Sequence, residues 1–559
     1  MSLFSALNLA TRGLFASQTG IDVTGQNISN ANTEGYSRKK VNFSPDSRLD
    51  GEFGEIGIGV EVASIERVRN TFLDKQIYEQ LGDMGRQEQL DATLSRVEDL
   101  FKEPNDASLN DKLGQFYDAW QDLANNPQEL SARESVKAAT IDMTTTFHAL
   151  ASELSDYRLQ MDELLQKQVE QINDLTSRIS SLNVEIASAE GQPGYNANDT
   201  RDQRDQMVRE LSKLVDVSAI EMPTGQVTVS TGGVLLVGPG SATRIETYGT
   251  TGTRPDGSPY TTLGLRLSDG KKPFTVKGGI VRGIMDSKDI VIPEFESKLD
   301  QMAANLVQEV NAKHAPGYTL NQTTGVLFFD PTQTTALHFR LSDAIMQDSK
   351  NIAAATGGQA SVLQSVPESI PDPATPQVDL KLTDPNYRSI VSGSMQIFLD
   401  STGETLREGA DADYVVDYKR GVVTFLNYAK YADGDGISID FKYEANGFPG
   451  AGDGSNALNI AKLRQSATMA LDSSGNPTQS VNDFYSSFIG ALGIQRNQIK
   501  SALDNKNFII AQLDGEQSSL AGVSLDEEMV NLIKFQHSYQ ASARLISTVN
   551  QMLDVLMNI

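Results

Sequence analysis

The chain has 559 residues, with 47 Lys and Arg against 73 Asp and Glu and a net charge of −26, so neither nucleic acid nor an anionic membrane surface would be drawn to it. It has no cysteine, which excludes disulfides, thiolate catalysis and thiolate-bound zinc. No run approaches the roughly 18 to 20 apolar residues of a membrane span, and Met1 to Thr11 carry no Lys or Arg, so no conventional cleaved signal is expected.

At the N-terminus Leu7, Leu14, Ile21 and Ile28 recur every seven residues, with Leu3, Ala10, Ser17 and Thr24 four before each. That is a coiled-coil seam with small residues on one side. A helix is predicted from about Leu109 to Leu123, with Leu113, Phe116, Trp120 and Leu123 on one face. Residues 128–190 then run 63 positions without Gly or Pro, enough for a rod of about 95 Å if fully helical. Leu165, Ile172, Ile179 and Ile186 hold one of its heptad rows, and Met161, Gln168, Leu175 and Leu182 the other. A Gly- and Thr-rich section at about 217–282 reads as short strands and turns. Residues 294–313 return to helical period with Phe295, Leu299, Met302, Leu306 and Val310.

From Pro316 to Gly454 prolines cluster and helical period is lost. Here Asp413 to Tyr418, a turn at Lys419 to Gly421, and Val422 to Leu426 predict a hairpin, and Ile437 to Tyr443 a further strand. Residues 454–520 read as helical again. At the C-terminus Leu525, Leu532, Tyr539, Ile546 and Leu553 repeat every seven, followed three later by Glu528, Phe535, Ser542, Val549 and Leu556. Ser524 and Glu527 form a capping box at its start.

The fold class expected is α+β and multidomain: terminal coiled-coil helices, a long helical-bundle core with a small β section, and an inserted β-rich domain. The nested boundaries are 1–55 with 520–559 for the terminal assembly domain, 56–315 with 454–519 for the helical core, and 316–453 for the insertion. Neither seam can bury its apolar face alone, and Leu9, Phe15, Val530 and Ile533 on the outer faces also require cover. More helices, from neighbouring molecules, would supply it. The self-assembly residues expected are therefore Leu3, Leu7, Leu14, Ile21, Ile28, Leu525, Leu532, Phe535, Tyr539, Ile546, Val549, Leu553 and Leu556.

No catalytic, cofactor or metal site stands out. His148, His314, His338 and His537 have no partner at metal-binding helical spacing, and structural or solvent-facing roles are expected for all four. Asp433 to Gly436 opens like a calcium loop, but Ile437 occupies the next alternate position and no Glu stands at the twelfth; a hairpin turn is the better reading. Gly54, Gly57 and Gly59 lack the spacing of a dinucleotide or phosphate loop.

The run from Asn27 through Asn30, Asn32, Thr33, Glu34, Gly35, Tyr36 and Ser37 to Arg38 resembles the N-terminal signature of the bacterial flagellar axial proteins, the rod, hook and hook-associated proteins. Glu34 stands where that family commonly has proline, and Tyr36, Ser37 and Arg38 are nearer to the hook-associated members than to the rod proteins. The C-terminal run from Gly522 to Leu556 and the stretch from Asn311 to Phe329 are similar to hook-associated members as well. The resemblance implies a non-enzymatic, self-assembling subunit at the junction of hook and filament, without cofactors. It implies export by the flagellar type III apparatus from the cytoplasm to the extracellular flagellum. Its implied partners are copies of itself in a ring or helical layer, the hook protein, the next hook-associated or filament protein, and a cytoplasmic export chaperone on the C-terminal segment. The alternatives are another axial protein, hook or rod, or a secreted binding module or wall hydrolase carried by the insertion.

Overall fold

A computed structural model of the protein describes residues 3–45, 48–51, 54–57, 59–101, 108–192, 194–253, 259–356, 361–380, 390–410, 412–418, 420–428, 430–432, 434–444 and 452–557. The chain runs through helices α1 (Leu3–Ser29), α2 (Thr71–Phe101), α3 (Leu109–Asn125), α4 (Leu130–Ala189), α5 (Asn198–Leu214), α6 (Gly279–Asp286) and α7 (Ile292–His314). Later come a helix at Val481–Ala521 and a C-terminal helix at Leu525–Met557, with short strands between the helical stretches. This is an α+β chain in two compact units. One comprises Met1–Arg96, Asp156–Glu294 and Gly493–Ile559; the other comprises Val97–Ser155 and Phe295–Leu492.

In the first unit, the heptad row Leu165, Ile172, Ile179 and Ile186 of α4 is buried, as are Met161 and Leu175 of the companion row. Two asparagines on α4 hold the small sheets. Asn173 exchanges both amide hydrogen bonds with the backbone of Ile245, each 2.8 Å. Asn183 does the same with Val227, at 2.7 and 3.0 Å. Each side chain thus acts as one more peptide for the strand it meets. The strands are Ser218–Glu221, Val227–Thr231 and Val234–Val237 in one antiparallel sheet, and Ile245–Thr253, Pro259–Leu267 and Pro273–Phe274 in a second, within the section expected to be β.

Several elements of this unit have no counterpart in the sequence reading. Helix α2 crosses the end of α5 where Gly85 faces Lys213, and a Cβ there would overlap the Lys213 carbonyl. Its glycines interrupt the apolar period, yet they are what permits the close approach. Helix α5 has an apolar row only in its second half, at Val208, Leu211 and Leu214, and in its first half the charged Asp202, Arg204 and Asp205 are buried. After α1 the chain forms an antiparallel pair of strands, Lys39–Pro45 with Val60–Arg67, where the sequence suggested only a helical terminal domain.

The second unit is built on aromatic packing. Trp120 and Phe116 of α3 meet Phe328 at ring distances of 5.1 and 6.4 Å, and Phe147 of α4 meets Phe339 edge-on at 5.0 Å. Asn311 of α7 fixes this segment: its oxygen accepts from the amides of Phe328 and Phe329, and its nitrogen donates to the Phe329 carbonyl. A separate β module follows. Ser361–Ser369, Gly436–Glu444, Gln396–Leu399 and Thr405–Leu406 make one sheet, and Gln377–Asp379, Val422–Phe425 and Tyr414–Asp417 another. Its core is its own, drawn from residues between Val366 and Phe441. The helical reading of 454–520 is corrected by a two-stranded hairpin, Met469–Leu471 with Pro477–Gln479. There the Asp472 carboxylate accepts from the amides of Ser474 and Asn476, which favours the turn over a helix.

His314 is fully buried at the end of α7. Its Nδ1 lies 2.7 Å from the Val326 carbonyl, and its Nε2 accepts from the Ala353 amide at 2.8 Å, so the ring sits neutral with its proton on Nδ1. Burial pushes its pKa down from 6.5 to about 4. The folded state therefore refuses a proton that the unfolded chain accepts. This contribution is complete above 6.5 and is lost as the pH falls to the folded value, to the extent of about 3 kcal/mol. Thermal melting of the full chain should show the second unit losing stability between pH 6.5 and 4, and His314→Gln should flatten that dependence.

Candidate functional site

Helix α1 and the C-terminal helix pack side by side. Gly13 faces Ser542 and Gly20 faces Phe535, while Asn27 bonds Glu528. Successive contacts thus step seven residues up one helix and seven down the other, which makes the pair antiparallel in strict heptad register. A Cβ on Gly13 would stand 2.9 Å from the Ser542 hydroxyl, and one on Gly20 would stand 2.7 Å from the Phe535 ring. The buried line on α1 is accordingly the small one, with Ala10, Ala16, Ser17, Val23, Thr24 and Asn27.

The larger seam residues sit less deeply. Leu7, Leu14, Ile21 and Ile28 on α1, and Leu532, Phe535, Ile546 and Leu553 on the C-terminal helix, are half-buried. Val549 is buried, whereas Leu525 and Tyr539 are exposed. The side chains of Leu3 and Leu556 lie outside the described residues. Phe535 also meets Phe43 of the following strand at 6.0 Å between ring centres. The seven-residue row Ala6, Gly13, Gly20 and Asn27 is legible in the sequence, and choosing it over the leucine row would have found the contact line directly.

At the end of this seam the signature residues close a buried node. The Asn27 amide oxygen accepts from the Lys39 backbone amide at 2.9 Å and from the Tyr36 hydroxyl at 2.8 Å. Its nitrogen donates to the Lys39 carbonyl at 2.9 Å and to the Glu528 carboxylate at 3.0 Å. All its hydrogen-bonding capacity is used, and neither Asp nor Leu could reproduce the pattern. The other Glu528 oxygen accepts from Arg38 Nε at 2.9 Å, and Arg38 also pairs with Glu527 at 3.1 Å. Glu527 thus reaches Arg38 as well as lying opposite the Ser524 cap, whose hydroxyl accepts from the Glu527 amide.

The remaining signature residues form the turn that brings Tyr36 back to Asn27. Asn30 donates to the Gln26 carbonyl and accepts from Thr33, Asn32 is exposed, and Gly35 takes a φ of +80°, where a side chain would be strained. Burial, with Asp199, Asp202 and Glu528 nearby, pushes the Tyr36 hydroxyl far above its usual pKa, so it remains a donor. Ser37 bonds α5, its amide and hydroxyl both donating to Asp202 at 3.0 and 2.7 Å. A cleft of about 670 Å³ opens beside the node, lined among others by Thr33, Gly35, Arg38, Gln517, Gly522 and Glu527. Among the described residues no His, Asp and Glu cluster could hold a metal ion.

Terminal helices paired in this way, closed by a signature turn and carrying a helical core between them, define a flagellar axial protein. Family models agree: one for flagella basal body rod proteins matches residues 7–36, one for the C-terminal region of the flagellar basal body rod FlgEFG proteins matches 517–559, and one for the helical domain of flagellar hook-associated protein FlgK matches 94–329. Along its whole length the chain is similar to flagellar hook-associated protein 1, a structural protein and not an enzyme. It is 27% identical to flagellar hook-associated protein 1 of Bacillus subtilis, across all of this chain and 98% of the relative. Its likeness to the proteins of the same name from Salmonella typhimurium and Escherichia coli is 25% and 26%, over 99% of this chain and all of each relative. A solved structure of the flagellar hook junction protein FlgK from Burkholderia pseudomallei shares the fold, with a TM-score of 0.55 and 17% identity over 80% of this chain and all of that one. Residues 377–445 match a domain of unknown function.

Two substitutions test the node and the seam. Asn27→Ala leaves Glu528 buried with one partner fewer and should cost about 2 to 4 kcal/mol. Gly20→Ala drives a methyl into Phe535 and should cost about 1 to 3 kcal/mol. Amide hydrogen exchange in the C-terminal helix of the isolated chain should accelerate in both.

Proposed function

We propose that this protein is a subunit of the layer joining the flagellar hook to the filament, assembled from copies of itself between the hook protein and the next hook-associated or filament protein. The observation that carries this is the uncovered apolar face of the paired terminal helices. Phe15 is 63% exposed on α1, and Val530 and Ile533 are 66% and 50% exposed on the C-terminal helix. Phe4 on α1, and Met529, Leu545, Met552 and Val555 on the C-terminal helix, are exposed as well. Apolar side chains left wet on the outer sides of both helices mark contacts with other chains, and neighbouring copies in a layer would cover them. The half-buried seam residues then become fully buried on assembly.

Export by the flagellar type III apparatus and a chaperone holding the C-terminal helix before assembly fit the same surface, which needs shielding until partners are present. The absence of cysteine suits passage to an oxidising exterior. In the domain partition that follows, the terminal pair is the assembly element and the β module is a separable insertion. Tyr318, Phe328, Phe329 and Phe339 lie in the core of the second unit, so the separable part is 361–444. Its two ends are adjacent, Ser361 pairing with Glu444 in one antiparallel ladder.

Imaging of hook tips with and without this protein tests the proposal, and filaments that remain attached in its absence would overturn it. Val530→Asp and Ile533→Asp place charges on a surface that is wet in the free chain and dry in the layer. They should leave the melting temperature unchanged while incorporation into flagella falls by an order of magnitude or more. Replacing 361–444 with a short Gly/Ser linker should leave the rest folded by circular dichroism and still able to join flagella; loss of helical signal would show the module to be integral.

A further inference from the structure

Behind the signature turn lies a buried charge cluster whose place in assembly is not accounted for by the seam or the node. Asp202 of α5 accepts from the amide and hydroxyl of Ser37, one on each carboxylate oxygen, and from Arg67 at 2.9 Å. The other arm of Arg67 pairs with Asp205 at 2.7 Å. Asp205 also meets Arg69 at 3.1 Å and Arg204 at 2.9 Å. Arg69 in turn grips Asp74 of α2 with two bonds, and Gln517 of the helix Val481–Ala521 donates to the same carboxylate. All these ionic side chains are buried or nearly so.

We propose that Asp202, held by Arg67, is a positioning residue that fixes the pose of the terminal helix pair on α5, so that every copy presents its assembly surface in one orientation. The inference rests on the axial reading above. The C-terminal helix is joined to the node through Asn27 and Arg38, and residues 36–39 reach α5 through two polar links. One, Lys39 to Asp199, ends on a carboxylate that is 72% exposed; the other is the buried Ser37 to Asp202 pair. Two bonds, from the amide and the hydroxyl of one residue, to both oxygens of one carboxylate fix rotation as well as distance, and the planar fork of Arg67 fixes that carboxylate.

Stability alone is a poor reason for such a cluster, because burying paired ions often gains nothing over apolar packing. What it supplies is geometry, and geometry is what a layer of identical copies requires. Burial opposes the charge on Asp205, but Arg69, Arg67 and Arg204 outweigh it and hold that carboxyl below its usual range. Asp205 therefore keeps its charge further into acid than a free aspartate.

The absence of cysteine allows spin labels at two introduced sites, Lys534→Cys on the C-terminal helix and Glu210→Cys on α5, both exposed in the native chain. Double electron–electron resonance on the full chain should give one narrow distance. The paired variant Arg67→Gln with Asp202→Asn removes both charges together, and Ser37→Ala removes only the hydroxyl. The paired variant decides if it retains helical circular dichroism, and Ser37→Ala decides if it does not. The deciding variant should broaden the distance several-fold and lower incorporation into flagella by about tenfold, the scale of a lost charge-assisted bond. A distance as narrow as that of the unmutated chain, or undiminished incorporation, overturns the proposal. Absence of the unmutated chain from flagella would instead overturn the axial reading on which it rests.

Discussion

The buried contact of Asn27 with Glu528 is the constraint on which the terminal architecture depends. A seam of Gly, Ala, Ser and Thr lets two helices approach closely, but small residues repeat and by themselves permit sliding by a heptad. A carboxylate buried at one level removes that freedom, because any other register leaves it without partners. The register pin lies at the end of α1, where the chain turns back, so the same residue that sets the helix pair also sets the turn. Asn27 bonds both backbone groups of Lys39 and the Tyr36 hydroxyl, and the strand that follows starts from that point. At the node itself, neither Asn27 nor Glu528 can change without leaving another buried group short of a partner.

The long helix α4 and both terminal helices were legible because their heptads are uninterrupted and their ends marked, by Pro127 and Gly191 for one and Ser524 for another. The β hairpins at 414–425 and the strand at 436–444 were legible through alternation and turn residues. What stayed hidden had physical causes. Helix α2 carries Gly82 and Gly85, which weaken local propensity and serve a crossing that exists only in the folded unit. The first half of helix α5 shows no apolar face, and its Asp202 and Asp205 meet Arg67, a residue at least 135 positions away; only Val208, Leu211 and Leu214 of its second half pack as apolar residues. No periodicity can announce a cluster whose cations come from another element. Within the candidate site, the resemblance pointed to Asn27 and Tyr36, but Glu528 as their partner needed the three-dimensional pairing of the chain ends.

Asparagine recurs as the connecting residue. Asn27, Asn173, Asn183 and Asn311 each present an amide to a backbone that lacks a partner, and each joins a helix to a strand or turn. A helix that must support irregular chain cannot offer its own peptide groups, which are already used within it. A side-chain amide supplies the missing donor and acceptor at one point and in one orientation. The residue choice follows from this need, and hydrophobic patterning is blind to it.

The pairing of Ser361 with Glu444 gives the β module the character of an exchangeable part. To the rest of the chain, a folded insertion whose ends lie opposite each other in a ladder is no more demanding than the tip of a hairpin, whatever lies beyond it. Closure entropy grows slowly with loop length, and here the ladder itself performs the closure. An insertion closed in this way asks of the chain on either side only that residues 361 and 444 start from adjacent points.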